Sequence, residues 1–456
     1  MDGSVTIIGG GFAGVEAAWA AASRGSRVVL HEMRPARMTA VHQTGDLAEL
    51  VCSNSFKSDL PTNASGILKR EMRALGSLTL AVAERHRVPA GEALAVDREP
   101  FAREITARLG AHPCVHIVRG EVTEVPASRP LVLATGPLTS ESLATSMARI
   151  TGAESLYFYD AVAPTITLES IDTSKVFRAS RRGRHTALPN ADSEGGPGRA
   201  TGEEGDYLNC PMAREEYLAF HQALAGAEVS ASHNPEDEGV PYFEMCLPVE
   251  ELARRGPRTL AYGPMKPIGL TDPRTGQRPY AVVQLRQENR DGTLWGLVGF
   301  QSRLKWGEQR RVFRMIPGLE GAEFVRYGVM HRNTYVCSPR ILGLDAQLRE
   351  HPGVFLAGQI TGVEGYLESA AIGIVAGLNA HRTLAGEPAV TPPRPTALGS
   401  LCHYLVETPP AHFAPMNANF GIMPELDQPV RDKRRKAEAR SERARAEMDH
   451  WLAEVR

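Results

Sequence analysis

A glycine-rich turn near the beginning of the chain joins a short apolar run to an alanine-rich segment, in VTIIGGGFAGVEAAWAAASRGSRVVLHE at residues 5–32. The apolar residues 5–8 predict a buried strand, and the segment after the turn predicts a helix. Gly9, Gly11 and Gly14 have the spacing G-x-G-x-x-G. In that pattern the first glycine makes a tight turn, the second admits a pyrophosphate, and the third allows the helix to pack closely on the strand. The pattern therefore predicts a βαβ unit that binds a dinucleotide.

The turn and the first helical residues are the predicted phosphate site, because a helix N-terminus offers free N–H groups and a favourable dipole. Glu32 ends the second apolar run, at the position where a carboxylate accepts the ribose hydroxyls. An acid there favours FAD or NAD over NADP, whose extra phosphate it would repel. A glycine turn in an ordinary βαβ unit is the alternative. The predicted cofactor-binding residues of this unit are Gly9, Gly10, Gly11, Phe12, Ala13, Gly14 and Glu32.

A second unit of the same style occurs late in the chain, in GVFLAGQITGVEGYLESAAIGIVAGLN at residues 353–379. Residues 354–357 predict a strand, and a glycine- and alanine-rich helix is predicted to start near Gly365. In two-segment flavoproteins such a unit completes the cofactor site, and its helix N-terminus stabilises negative charge on the reduced flavin. An NAD dehydrogenase does not need it, so the pair of units favours FAD. The predicted cofactor-binding residues here are Gly358, Gln359, Thr361, Gly362, Gly365 and Tyr366.

Composition excludes several classes of protein. The 456 residues are enough for two or three domains, and the net charge of -2 provides no global field toward nucleic acid, so any RNA contact must come from local patches. No apolar stretch is long enough to span a membrane, and no signal peptide precedes the first strand, so we expect a cytoplasmic protein. The six cysteines have no C-x-x-C or zinc-finger spacing, which predicts reduced thiols and no metal site.

Periodicity and composition also predict the organisation of the remaining chain. Residues 178–206 are rich in arginine, glycine and small polar residues and predict a mobile surface loop, whereas 240–305 suit a β-rich region. The basic run 431–445 favours a helix that is either solvated or in contact with RNA phosphates. The other predicted elements are helices at 65–86 and 97–109 and strands at 115–118, 131–134, 280–287 and 294–300.

Three cysteines lie in settings that suit a reactive thiol, and the pattern alone does not rank them. Cys52 precedes a Ser-Asn-Ser run that could cap a helix and offer N–H groups to a thiolate. Cys246 lies in PYFEMCLPVEE, among aromatic and acidic residues, and Cys210 lies in DYLNCPM. On the sequence pattern alone, a structural role is favoured over a catalytic one for each of the three cysteines.

Longer segments make the chain resemble the folate- and flavin-dependent tRNA uracil-5 methyltransferases of bacteria, the TrmFO family, which is related to the GidA flavoproteins. The resemblance covers almost the whole chain. It rests on LVCSNSFKSD (50–59), DYLNCPM (206–212), YFEMCLPVEELARRGPRTLAYGPMKPIGL (242–270), GFQSRLKWGEQRRVFRMIPGLEGAEFVRYGVMHRNTY (299–335) and AGQITGVEGYLESAAIGIVAG (357–377). Two departures are an apparent insertion at 183–204 and Met245, where the family more often has glycine.

The resemblance implies roles for three residues. Cys246 corresponds to the nucleophile that adds to C6 of uracil, and Cys52 corresponds to a thiol near the flavin that acts as the base at C5 or protects the flavin. His331 corresponds to the residue that stacks on the pterin of folate. The implied reaction makes ribothymidine at position 54 of the tRNA T-loop. Methylenetetrahydrofolate supplies the carbon, and FAD reduced by NADPH or NADH supplies the electrons.

The predicted fold is α/β, with a Rossmann-like, two-segment FAD-binding domain and a smaller α/β insertion domain. The first FAD-binding segment is placed at 1–165, the insertion domain at 166–335 with its mobile loop at 183–204, and the second FAD-binding segment, with the basic helix, at 336–456. The expected partners are the tRNA T-arm, folate and NAD(P)H, and no membrane. The alternatives are a flavoenzyme acting on a tRNA wobble uridine and a flavin-dependent thiol oxidoreductase, against which the missing C-x-x-C pair and the missing nicotinamide domain argue.

Overall fold

A computed structural model of the protein describes residues 3–39, 41–152, 156–181, 205–230 and 247–455, with the backbone alone at 158–160, 331 and 332. The loop predicted at 183–204 and Cys246 lie outside these ranges. No helix within them combines the length and the apolar character needed to cross a membrane.

The secondary structure of the described residues alternates between strands and helices over most of the chain. The strands are β1 (Val5–Ile8), β2 (Val28–Glu32), β3 (Ser55–Ser58), β4 (Arg87–Val88), β5 (Ala93–Val96), β6 (Val115–Arg119), β7 (Leu131–Leu133), β8 (Leu156–Ala161), β9 (Thr165–Thr167), β10 (Phe177–Arg178), β11 (Tyr207–Met212), β12 (Ala281–Gln287), β13 (Leu294–Leu297), β14 (Phe324–Arg326), β15 (Met330–Tyr335) and β16 (Val354–Leu356). The helices are α1 (Phe12–Ala22), α2 (Ala64–Ala74), α3 (Leu78–Arg85), α4 (Arg98–Gly110), α5 (Glu141–Thr151), α6 (Arg214–Ala225), α7 (Val249–Arg254), α8 (Thr259–Tyr262), α9 (Trp306–Phe313), α10 (Ser338–Ile341), α11 (Tyr366–Ala385), α12 (Ala397–Glu407) and α13 (Lys433–Val455).

A five-stranded sheet joins the two ends of the chain. Its order is β16-β7-β1-β2-β6, and all four pairings are parallel. Strand β1 is buried along its whole length, which explains its continuous apolar run. Read from β6, the order is that of a doubly wound dinucleotide-binding sheet, with the first strand in the centre. The predicted Rossmann-like fold is therefore confirmed, and β16 brings the late glycine unit into the same sheet as the early one.

Helices α1 and α11 pack against each other at backbone distance. A Cβ atom on Gly373 would lie 2.3 Å from the Ala13 carbonyl oxygen, and one on Gly377 would lie 2.3 Å from that of Ala17. The two contacts advance in the same direction along both helices, so the helices are parallel. Their N-termini therefore lie at the same end of the pair.

A second sheet, of six antiparallel strands, has the order β10-β11-β12-β13-β9-β14. It has its own hydrophobic core, which includes Trp295, Phe300 and Phe313. Strands β8 and β15 pair with each other as a separate two-stranded ribbon. Because β8 runs into β9 and β14 runs into β15, this ribbon carries the chain between the two sheets.

The structure corrects two of the predicted elements. The helix predicted at 65–86 is two helices, α2 and α3, because Gly76 takes a left-handed backbone with φ +80° and the Ser77 hydroxyl accepts from the Leu80 N–H at 3.2 Å to cap α3. The predicted β-rich region at 240–305 contains strands β12 and β13 but also helices α7 and α8. The apolar residues of these helices keep spacings that are compatible with either structure.

The basic C-terminal run forms the first half of α13, as predicted. Arg434 pairs with Glu438 at 2.9 Å, and Lys436 and Arg440 both pair with Glu425. The second half packs Met448, Trp451 and Leu452 against Leu378 of α11. Several of its cations are therefore neutralised by neighbouring carboxylates, which fits the solvated-helix interpretation at those positions.

We expect Gly377→Ala to destabilise the protein, because the added methyl group would overlap the Ala17 backbone and force α1 and α11 apart. Overpacking of this kind costs about 1–3 kcal/mol. The matched control is Gly307→Ala in α9, where an added Cβ meets nothing within 4 Å and alanine favours a helix by about 1 kcal/mol. Thermal unfolding followed by circular dichroism should show a lower midpoint for the first variant alone. Equal midpoints for Gly377→Ala and the unsubstituted protein would contradict the packing argument.

Candidate active site

A cavity of about 400 Å³ opens where the N-termini of α1 and α11 meet. Phe12 and Tyr366, the first residues of the two helices, place their ring centroids 4.8 Å apart. Both glycine units therefore border the same space. The predicted site residues that line it are Gly9, Gly10, Gly11, Phe12, Ala13, Glu32, Cys52, Gly358, Gln359, Gly365 and Tyr366.

Glycine is needed at each of the three positions of the first unit for a different structural reason. Gly9 has φ +106°, and a Cβ on it would lie 2.3 Å from the Ala134 carbonyl oxygen. A Cβ on Gly14 would lie 1.8 Å from the Gly9 carbonyl oxygen, so Gly14 lets the helix approach the turn but does not line the cavity. A Cβ on Gly11 meets no protein atom within 4 Å. Gly11 therefore faces open space, as a residue that admits a pyrophosphate should.

Glu32 binds the glycine turn directly. One carboxylate oxygen accepts from the Gly10 N–H at 2.7 Å, and the other accepts from the backbone and the guanidinium of Arg34, both at 2.9 Å. Burial alone would raise the pKa of Glu32, but the Arg34 charge and these hydrogen bonds together hold the pKa below its usual value. The group is thus a carboxylate that lines the cavity, and the oxygen that accepts from Gly10 keeps acceptor capacity for a ligand hydroxyl.

The second glycine unit divides into residues that line the cavity and residues that support it. Gly358 has φ +82°, and a Cβ on it would lie 2.7 Å from that of Ala13. Thr361 is fully buried and donates its hydroxyl to the Gly358 carbonyl oxygen at 2.7 Å. A Cβ on Gly362 would lie 2.5 Å from the Phe413 ring. Thr361 and Gly362 shape the turn and are not among the residues that line the cavity, and their role as cofactor contacts stays a prediction.

Cys52 lies on the cavity wall in a segment held from several sides. Its N–H donates to the Tyr366 hydroxyl at 2.6 Å, and its thiol contacts the Ala161 carbonyl oxygen at 3.6 Å. The Arg98 guanidinium donates to the Cys52 carbonyl oxygen at 2.9 Å, and Arg286 of β12 donates to the Ser53 hydroxyl at 2.9 Å. The following Ser-Asn-Ser run enters strand β3, so the helix cap considered for it is wrong. The thiol is positioned by the neighbouring elements instead.

The other described cysteines have different surroundings. Cys210 is fully buried in β11, and burial raises the pKa of its thiol well above the usual value. Burial likewise raises the pKa of Cys402 to about 12. Of the five cysteines in the described ranges, Cys52 is the one that lines the cavity. Cys210, which the sequence pattern could not separate from Cys246, is therefore a core residue.

Described segments near the two remaining predicted residues contact the cavity. Val249, three residues after Cys246, donates its N–H to the carbonyl oxygen of Gln301, which lines the cavity. His331 belongs to strand β15, whose Thr334 N–H donates to the carbonyl oxygen of Pro137, another cavity residue. Cys246 itself lies outside the described residues, so its place in the site stays a prediction, as does the role of His331.

Lys57 and Arg286 also line the cavity and were not predicted from the sequence. Lys57 has a left-handed backbone with φ +64°, and its ammonium group pairs at 2.8 Å with the buried Glu368 in the first turn of α11. Arg286 reaches the cavity from the second sheet. Neither lies in a motif that marks a cofactor site, and both depend on contacts distant in sequence. In the described part of the chain, no group of three or more histidine, cysteine or acidic side chains is arranged for a metal ion.

Comparison with known proteins identifies the family to which this chain belongs. The sequence profile of the family described as "Glucose inhibited division protein A" (GIDA) matches residues 4–388. A protein from Symbiobacterium thermophilum named methylenetetrahydrofolate–tRNA-(uracil-5-)-methyltransferase TrmFO is 57% identical over 448 residues, which are 98% of this chain and 96% of that protein. The protein of the same name from Desulforudis audaxviator is 56% identical over 458 residues, covering 100% of this chain and 99% of its own length. This chain belongs to the TrmFO family, within the wider GidA family.

The solved structures support the fold. GidA from Aquifex aeolicus, in its form II crystal, superposes with a TM-score of 0.69 and 17% identity, covering 99% of this chain and 73% of that one. The form I crystal gives a TM-score of 0.64 over 88% of this chain and 69% of that one, at 18% identity. At these identities the likeness concerns the architecture alone. The two-sheet arrangement of TrmFO family members is thus shared with a distant branch.

Proposed function

We propose that this protein is a tRNA methyltransferase that makes 5-methyluridine at position 54 of the T-loop. The observation that carries the proposal is the identity of more than half of all residues, over nearly the full chain, to proteins named for this activity. In addition, the Cys52 thiol belongs to a residue that lines a cavity bordered by two helix N-termini. Because proteins named for this activity match nearly the whole chain at 56–57% identity, the wobble-uridine alternative is not favoured.

The cavity fits FAD on physical grounds. The glycine turn at the start of α1 presents a helix N-terminus and an open position at Gly11, both suited to a pyrophosphate. Glu32 offers a carboxylate for ribose hydroxyls. The N-terminus of α11, which carries positive potential, suits the pyrimidine end of a flavin. FAD, reduced by NADPH or NADH, would supply the two electrons that convert a methylene group from methylenetetrahydrofolate into a methyl group.

The thiols would act on the uracil itself, whose C5 is a poor nucleophile. The Cys246 thiolate would form a bond to C6, which moves the electron pair of the C5–C6 double bond toward C5 and O4 and makes C5 nucleophilic. After C5 has bonded to the folate methylene carbon, Cys52 would take the C5 proton. Loss of this proton would break the bond between the methylene carbon and the folate nitrogen and would leave a methylene group on C5. Addition of a hydride from the reduced flavin to this group would then re-form the C5–C6 double bond and release the Cys246 thiolate. His331, on strand β15, would stack on the pterin of the folate.

The substrate and the place of action follow from the same proposal. The T-arm of tRNA would present its uridine to the cavity, and the base must leave its stacked position to reach two thiols at once. Both folate and NAD(P)H are consumed as small molecules. We expect the protein to act in the cytoplasm, where tRNA, reduced folates and reduced thiols occur together.

Gly11→Val should abolish flavin binding without unfolding the protein. A valine side chain would extend into the open space beside Gly11, where the pyrophosphate is expected, while φ −74° at this position suits any L residue. The absorbance of the purified protein near 450 nm reports bound FAD. Gly11→Ala, with a smaller side chain, should retain part of the colour. A Gly11→Val variant as yellow as the unsubstituted protein would contradict the placement of the pyrophosphate.

A T-arm RNA with 5-fluorouridine at the target position should form a covalent complex that survives denaturing electrophoresis. Fluorine does not leave C5 as a proton does, so the bond between thiolate and C6 stays in place. Cys246→Ala should give no complex, and Cys52→Ala should bind RNA and FAD but complete no methyl transfer. Cys210→Ala, which alters a buried core thiol, is the matched control and should still give the complex.

Two outcomes of this trapping experiment would contradict the assignment. A complex that persists in Cys246→Ala and vanishes in Cys52→Ala would show that the two thiols have the opposite roles. The absence of any complex with the unsubstituted protein, under conditions in which it binds the RNA, would contradict covalent catalysis at C6. The thiol oxidoreductase alternative would then gain support.

A further inference from the structure

An aromatic stack lies on the surface of the second sheet, outside the cavity. Trp306, the first residue of α9, is 62% exposed, and its ring is stacked on Tyr327 with centroids 5.3 Å apart and an angle of 12°. Tyr327 stacks in turn on Phe324, at 5.2 Å and 17°. One face of the Trp306 indole thus rests on Tyr327, and its exposure leaves the other face open to water. An indole face left open in this way can stack against another flat ring.

Positive charge accompanies this stack. Arg310, one helical turn after Trp306, donates to the neutral Tyr327 hydroxyl at 2.8 and 3.2 Å. The flanking charges are paired, Lys305 with Glu228 and Arg311 with Glu308, both at 2.6 Å. Within the described ranges Arg310 forms no ion pair with a carboxylate. Its charge is therefore available to an anion that approaches the stack.

The stack is attached to the rim of the active-site cavity. Arg326, the residue before Tyr327, donates to the carbonyl oxygen of Val51, next to Cys52, at 3.3 Å. Gly328, the residue after it, is bound through both its N–H and its carbonyl oxygen by the buried Gln309 side chain. These contacts fix the backbone on both sides of Tyr327. Tyr327 is therefore held by its two neighbours, and one of them, Arg326, contacts the residue before Cys52.

We propose that the Trp306–Tyr327 stack is a platform on which a base of the T-arm RNA lies while the target uridine occupies the cavity, with Arg310 bound to a neighbouring phosphate. The inference rests on the proposed function. A flat aromatic face, an unneutralised guanidinium and a neighbouring residue, Arg326, that contacts the cavity wall at Val51 together suit the recognition of an unstacked nucleotide. RNA is favoured over a protein partner because the site pairs an open ring face with free positive charge.

The test compares steady-state methylation of a T-arm RNA by three variants. Trp306→Leu should raise KM for the RNA by about tenfold or more, in line with the loss of one base–aromatic stack, and should leave FAD content and flavin reduction by NADPH unchanged. Trp306→Phe, which keeps an aromatic face, should recover most of the affinity. Tyr262→Leu is the matched control, because Tyr262 is 77% exposed on the same domain but outside the stack.

Tryptophan fluorescence supplies a second readout that does not depend on turnover. Trp306 is the most exposed of the four tryptophans, so stacking of a base should quench emission in the unsubstituted protein, and Trp306→Phe should lose this quenching. An unchanged KM in Trp306→Leu, or an equal rise in Tyr262→Leu, would overturn the platform while RNA methylation by the unsubstituted protein upholds the proposed function. Failure of the unsubstituted protein to methylate the RNA would instead refute the proposed function.

Discussion

The close parallel packing of α1 on α11 is the contact on which the active site depends. Gly373 and Gly377 allow the α11 backbone to lie against Ala13 and Ala17, where any side chain would collide. Because the helices run in the same direction, the two glycine turns that precede them open into one cavity. The helices come from opposite ends of the sequence, so the site exists only when the first and last thirds of the chain share one sheet. A flavoprotein that binds its cofactor between two helix N-termini requires this arrangement.

The segment that carries Cys52 connects this cofactor region with the second sheet. Arg98 holds it from α4, Arg286 from β12 and Arg326 from β14, in each case through a backbone carbonyl or a hydroxyl of residues 50–53. Arg98 is itself neutralised by Glu288 at 2.6 Å. Burial alone would lower the pKa of Arg98, but Glu288 raises it above its usual value. The segment that carries this thiol therefore lines the cavity and is bound to the second sheet through Arg286 and Arg326.

Sequence patterns predicted those strands and turns whose structure depends on residues close together in the chain. The apolar run of β1, the turn at Gly9 and the strand before Gly358 were recognisable because burial and positive φ restrict the residue types at those positions. The break at Gly76 was missed, because apolar residues continue in helical phase on both sides of it. Lys57 and Arg286 could not be found from the sequence, since their position beside the cavity results from contacts with residues far away in the chain.

The candidate thiols also could not be ranked from the sequence pattern alone. Sequence pattern left Cys210 and Cys246 equivalent, and burial, a property of the folded chain, separated Cys210 as a core residue. The family resemblance supplied the roles of Cys246 and His331, and the division of the chain at 165/166 and 335/336, which stay predictions. Thr361 and Gly362 are predicted as cofactor contacts because they lie in the glycine motif; the structure shows their packing against Gly358 and Phe413, and the cofactor role stays a prediction.

The origin of the transferred carbon tests the central claim most directly. The protein would be incubated with unmodified T-arm RNA, NADPH and methylenetetrahydrofolate that carries deuterium on its methylene carbon, and the nucleosides would then be analysed by mass spectrometry. The account predicts 5-methyluridine at position 54 whose methyl group retains both deuterium atoms of the folate. A methyl group without deuterium, a product that requires S-adenosylmethionine, or modification confined to a wobble uridine would contradict it.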